Sequence, residues 1–175
     1  MAEDSDVLTD LDNAAKAANG ADTQPVAGII SQYVKDLSVE NPKAPDSFQW
    51  TDQPEMDVQF NIQAKDVNEE VIEVELKITC TSKCQQGTAY IVDLAYCGLV
   101  GMRNMPDDQK HAFTYAEAPR FLFPFARAII ANAVRDAGFQ PLVLDPVDFQ
   151  GLYLQQLQAK QAQEAGEAPV GDAAN

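Results

Sequence analysis

The sequence predicts an α+β fold: one four-stranded antiparallel sheet with two helices packed on one face. Three observations predict it. Four runs alternate apolar and polar residues with period two, as half-buried strands do. The turns between the last of these runs are short, which implies hairpins and antiparallel pairing. Two later runs repeat their apolar residues at helical spacing. Only one side of each strand is apolar, so one face of the sheet is covered and the other meets water.

The first strand is expected at Ser31–Glu40. Tyr33, Leu37 and Val39 are assigned to one face, with Lys35 out of place among them. Gln32, Asp36, Ser38 and Glu40 take the other, with Val34 out of place. Asn41-Pro42-Lys43-Ala44-Pro45 stops the strand, because proline has no N–H to give a ladder. Phe48 and Trp50 follow in an otherwise polar loop. The second strand, Pro54–Gln63, alternates Met56, Val58, Phe60 and Ile62 with Glu55, Asp57, Gln59 and Asn61. The third, Glu70–Thr81, turns Ile72, Val74, Leu76, Ile78 and Cys80 inward. The fourth, Thr88–Tyr96, carries Tyr90, Val92, Leu94 and Tyr96 on one face and Ala89, Ile91, Asp93 and Ala95 on the other. Gly98–Thr114 reads as irregular, since Gly98, Gly101 and Pro106 punctuate it. It still holds Leu99, Val100, Met102 and Met105.

A long helix is expected within Glu117–Phe139. Pro124 suits a first turn, which places the regular start near Leu122. Gly138 suits a left-handed cap, and Pro141 prevents continuation. Phe121, Phe125 and Ile129 recur at i, i+4, i+8, flanked by Leu122 and Ala126. Phe123, Ile130 and Val134 form a second apolar line. A helix that is apolar on two sides needs a second partner, so Phe121, Phe125, Ile129 and Ile130 are assigned to a subunit interface. Asp145-Pro146-Val147-Asp148 opens the last helix, with Asp145 as its cap. Phe149, Leu152, Tyr153 and Leu157 form its apolar stripe. Residues 1–28 and 164–175 contain few large apolar groups and are expected to be disordered tails around a folded domain at 29–163.

The formal charge of −15 argues against a nucleic-acid backbone or an anionic membrane as partner. The N-terminus has no basic and apolar leader pattern, and no run reaches the roughly 18 apolar residues of a membrane span. Three cysteines without a dense framework fit a reducing compartment, so the cytoplasm is expected. No enzyme is expected: the one histidine, His111, lies outside any catalytic motif, and no phosphate loop or dinucleotide fingerprint is present. No cofactor or metal is expected either. Cys80, Cys84, Cys97 and His111 could together supply four zinc ligands, but a buried unpaired cysteine ordinarily serves as a small apolar residue. Two surfaces stand out instead. Phe48, Trp50, Leu99, Val100, Met102 and Met105 place apolar groups, including adaptable methionines, in loop segments that could line a groove. Asp36, Glu40 and Asp93 surround Ile91 on the outward strand faces, as in a docking patch.

Four stretches resemble signatures of one family. They are YVKDLSVENPKAP at Tyr33–Pro45, FLFPFAR at Phe121–Arg127, GFQPLVLDPVDF at Gly138–Phe149, and the GLYLQQ that follows. The family is SecB, the bacterial export chaperones. The resemblance implies a dimer of dimers, hence a homotetramer, and no catalysis. It implies a cytosolic holdase that keeps precursor proteins with signal sequences unfolded and delivers them to the translocation ATPase SecA. The SecA-docking positions fall on Asp36, Glu40, Ile91 and Asp93. The client groove falls on Met56, Val58 and Phe60, to which Phe48, Trp50, Leu99 and Met102 are added from the loops. The chain departs from the family pattern in places. Ala118-Pro119-Arg120 stands where Cys-Pro-Asn is usual, Asp52 stands where a tryptophan is common, and Asp93 is shorter than the usual Glu. Two alternatives are a solitary SecB-like chaperone controlling a toxin–antitoxin pair and a non-catalytic acidic adaptor.

Overall fold

The computed structural model describes residues 23–166, with side chains to residue 162. Strands β1 (Val26–Glu40), β2 (Glu55–Asp66), β3 (Val71–Cys84) and β4 (Gly87–Arg103) form one antiparallel sheet in the order β1-β4-β3-β2. Two hairpins build most of it. Asn68 shapes the first: its Oδ1 accepts the N–H groups of Glu70 and Val71, each at 2.9 Å. Asp52 shapes the second from outside, accepting the Gln85 N–H at 2.9 Å. That bond holds the Asp52 carboxyl below the ordinary carboxylate range.

Alternation places β2 and β3 correctly, but β1 is longer and less regular than expected. It begins at Val26, inside the segment assigned to a disordered tail. The rest of that assignment, residues 1–22, lies outside the described residues, as does 167–175. The β1–β4 ladder slips between Ile29 and Ser31 and again between Val34 and Asp36. Ile30 and Lys35 are therefore extra residues, or bulges. Each bulge exchanges the faces of the residues that follow. Tyr33 shares the outer face with Asp36, Ser38 and Glu40, while Val34 joins Leu37 and Val39 on the helix side. This reverses the expected placement of Tyr33 and Val34.

The stretch read as irregular, Gly98–Thr114, is regular structure. β4 continues through Gly98 and Gly101 to Arg103. Glycine in a strand often marks a close approach rather than a break, and a Cβ built on Gly98 would stand 2.8 Å from Leu122 Cδ2. Helix α1 (Asp107–Ala112), a π turn (Phe113–Glu117) and helix α2 (Ala118–Asp136) then run on without a break. The expected start near Leu122 is thus too late. Pro119 has no N–H for the Tyr115 carbonyl, and the chain widens there, with the Ala118 N–H reaching back five residues to Phe113. Pro124 sits within the helix. The C-terminus closes as expected. Gly138 has φ +93°, its N–H donates to the Arg135 carbonyl, and the Phe139 N–H reaches the Val134 carbonyl.

Helix α3 (Phe149–Gly166) starts later than expected. Asp148 rather than Asp145 caps it, with Oδ1 accepting the Gly151 N–H at 3.0 Å. Both helical rods lie on one side of the sheet, with α2 chiefly over β4. Leu76, Ile78, Leu94, Leu122, Ile130 and Phe149 are fully buried between them. Each such side chain contributes about 1.5–3 kcal/mol relative to exposure.

Candidate functional site

The bare outer face of the sheet collects the predicted docking residues. The ladder pairs Asp36 with Ala95, Ser38 with Asp93 and Glu40 with Ile91. Asp36 and Glu40 therefore straddle Ser38 on β1, and Ile91 and Asp93 lie beside them on β4. Thr79 and Thr81 of β3 continue the rows. Asp36 and Glu40 are exposed, while Ile91 and Asp93 are half-buried. Among the described residues no hydrogen bond or ion pair engages the carboxylate of Asp36 or Glu40. Asp93 has one partner, Lys77 Nζ at 3.4 Å from Oδ2.

The acids of the adjoining half of this face are held by a lysine. The bulge turns Lys35 over the sheet, where its Nζ lies 2.8 Å from Glu73 Oε2 and 3.1 Å from Glu75 Oε2. The Tyr33 hydroxyl donates to the other Glu73 oxygen. That bond, with burial, pushes the Tyr33 pKa up to about 12. Lys35 is raised by its bonds to Glu73 and Glu75, and Glu73 is lowered by Lys35 and then Tyr33. Cys97 lies beneath them, and burial pushes its thiol up to about 11. Glu73 and Glu75 are thus spent within the chain. Asp36, Glu40 and Asp93 face outward around Ile91, and exposed Asp57 of β2 lies in the same row, paired in the ladder with Thr81.

On the helix side, the predicted groove residues are only partly brought together. Met56, Val58 and Phe60 are half-buried along the edge strand β2. Phe60 meets Phe123 and Phe149 edge-on. Tyr90 reaches Met56 Sδ at 3.7 Å and stacks 4.9 Å from Phe139. Phe48, half exposed, stacks 5.2 Å from Phe139, and Trp50 approaches Gly87. Asn41 anchors this loop by donating from Nδ2 to the Ala137 carbonyl at 3.2 Å. The other two residues lie elsewhere. Leu99 is paired with Ser31 and Glu73 on the outer face, opposite the groove. Met102 is buried near the far end of β4, about 40 Å along the strand from Tyr90. Both were assigned as loop residues, and both belong to the sheet. Tyr90 and Phe139 were not singled out as groove residues, although Phe139, an aromatic directly after the Gly138 cap, was an available signal.

The predicted interface residues divide likewise. Phe121 and Phe125 point away from the sheet, 45% and 51% exposed, and Ile129 is half-buried beside them. Ile130 is fully buried against the sheet and has no surface to offer a partner. Val34, Leu37 and Val39, on the helix side of edge strand β1, are also 40–44% exposed. The four residues considered for zinc lie apart. Cys80 faces the core, Cys97 the outer face, and His111 on α1 bonds the Tyr153 hydroxyl at 2.8 Å.

Residues 20–160 match the family described as “Preprotein translocase subunit SecB”. The chain belongs to the SecB family. Its relatives include the protein-export protein SecB of Erythrobacter litoralis, 62% identical over 99% of this chain and 100% of that protein. That of Novosphingobium aromaticivorans is 60% identical over the same shares. Among solved structures, the SecB-like chaperone of Mycobacterium tuberculosis, in complex with a peptide from the HigA1 antitoxin, has a similar fold. Its TM-score is 0.59 at 15% identity, covering 69% of this chain and 90% of that one. The family and its close relatives make this chain a protein-export chaperone. SecB proteins are chaperones and as a class non-enzymatic. The toxin–antitoxin alternative is not favoured: the export chaperones share most of this sequence, while the antitoxin-bound structure shares the fold alone. Among the described residues no helix is long and apolar enough to cross a membrane.

Proposed function

We propose that this chain is a cytosolic, non-catalytic holdase that assembles as a homotetramer, keeps precursor proteins unfolded and hands them to SecA. The observation that carries the delivery step is the β1–β4 register. It gathers Asp36, Glu40, Ile91 and Asp93 into one outward patch, away from the apolar helix side. The unpaired carboxylates of Asp36 and Glu40, with the weakly paired Asp93, surround a half-buried isoleucine and suit a basic segment of SecA, which long-range attraction would also steer. The holding step is supported by the open apolar ground of β2 and the Phe48 loop. A surface that must accept many sequences needs breadth and adaptable groups such as Met56 rather than a shaped pocket. Assembly is supported by Phe121, Phe125 and the unpaired edge of β1, apolar groups that water would leave uncovered in a lone chain.

The test separates docking from holding. Glu40→Lys should weaken SecA binding at low salt while leaving suppression of refolding of a denatured protein intact. Unchanged SecA binding at low salt would remove the outer face from the account.

A further inference from the structure

Lys77 occupies a special place on the outer face. It is a cation beside the docking patch, and it already holds one of the patch acids, with Nζ 3.4 Å from Asp93 Oδ2. The contrast with Lys35 matters. Lys35 has two carboxylates at 2.8 and 3.1 Å, and Tyr33 completes that cluster. Lys77 has a single, longer contact, and both side chains of the pair keep solvent access, 44% for Lys77 and 33% for Asp93. A lone half-exposed pair of this kind is weak and easily exchanged. A cation arriving at Asp93 would meet the Lys77 ammonium at the same carboxylate.

We propose that Lys77 is an intramolecular counter-ion that a docking partner's cationic group must displace from Asp93, and that it thereby limits docking affinity and sets its salt dependence. The inference rests on the outer face being the SecA-docking surface. Lys77 then acts as a specificity device. A partner with a well-placed arginine can take both Asp93 oxygens and outcompete a single ammonium. A scattered basic chain, such as an unfolded client segment, cannot do so as readily and is left to the helix side.

The experiment compares SecA binding by the full chain and its Lys77→Met variant across a salt series. Methionine keeps the apolar stem over the sheet and removes the charge. Binding should tighten about two- to five-fold at low ionic strength. The gain should fade as salt screens the repulsion between Lys77 and the incoming cation. Lys77→Met in an Asp93→Asn background should produce a smaller gain, because only the long-range repulsion and no competition for the carboxylate is then removed. Melting curves of each variant establish that the fold is retained, and Lys77→Gln replaces any variant that fails. Equal or weaker binding by the folded Lys77→Met chain overturns the inference. Glu40→Lys, run alongside, separates the two levels. If it weakens binding while Lys77→Met fails to tighten it, the docking face stands and the role of Lys77 falls. If Glu40→Lys has no effect, both fall.

Discussion

Replacing Phe125 by Asp tests whether the outward stripe of α2 is an assembly surface. The phenyl side chain offers about 200 Å² and is 51% exposed in the single chain. Covering that fraction removes about 100 Å² of apolar surface from water, or about 2.5 kcal/mol at each copy of the contact. An aspartate forfeits this and adds the cost of desolvating a charge. Even the apolar loss alone weakens each contact by about 60-fold. Within the isolated chain the same change touches little, because Phe125 lies on the side away from the sheet, and surface substitutions of this kind stay near ±0.5 kcal/mol. Light scattering over a dilution series should therefore show a lower mass for Phe125→Asp than for the unmodified protein, with helix and strand content retained in far-ultraviolet circular dichroism. Ile130→Asp is the contrast, since it places a charge in the core and should unfold the chain. An unchanged mass for a folded Phe125→Asp protein at every concentration would refute the assignment of this face.

Two further outcomes concern the fold and its electrostatics. Gly98→Ala should lower stability by about 1–3 kcal/mol, read as a lower denaturation midpoint, since its Cβ would meet Leu122 at 2.8 Å in a filled core. The Glu73 carboxyl is held below its usual value, so its stabilisation is present above about pH 4.5 and is lost as the pH falls through the lower folded-state value. Glu73→Gln should thus melt below the unmodified protein at pH 7, and the gap should close in acid. A gap that widens there would contradict the Lys35–Glu73 assignment.

Alternation made β2, β3 and the first part of β4 legible, because most large apolar residues there fall on the covered face, Ile91 being the outward exception on β4. The outward positions of Asp36, Glu40, Ile91 and Asp93, proposed for docking, followed from the same alternation, and the register makes them neighbours. What escaped were single-residue departures from period. Val34 and Lys35, adjacent and both out of place, were the signature of a bulge. Reading them as exceptions put Tyr33 on the wrong face and hid the cluster it makes with Lys35 and Glu73. Glycine and proline misled in a similar way. Gly98 and Gly101 serve the sheet, Gly98 beneath Leu122 and Gly101 against Ile30, yet they looked like loop punctuation, so Leu99 and Met102 were assigned to a groove. Pro119 and Pro124 suggested a late helix start, whereas a π turn and a tolerated interior proline carry the helix back to Asp107. Which apolar line of α2 meets the sheet was set by long-range packing on Gly98 and β4, information that no local pattern contains.

The central claim, that this chain holds unfolded proteins, is tested most directly by the refolding rate of an unrelated denatured protein diluted into the purified chain. At one assembled oligomer per denatured molecule, refolding should slow markedly, because binding the unfolded state opposes folding by mass action. Refolding at the uncatalysed rate, with no complex detected between the two, would contradict it.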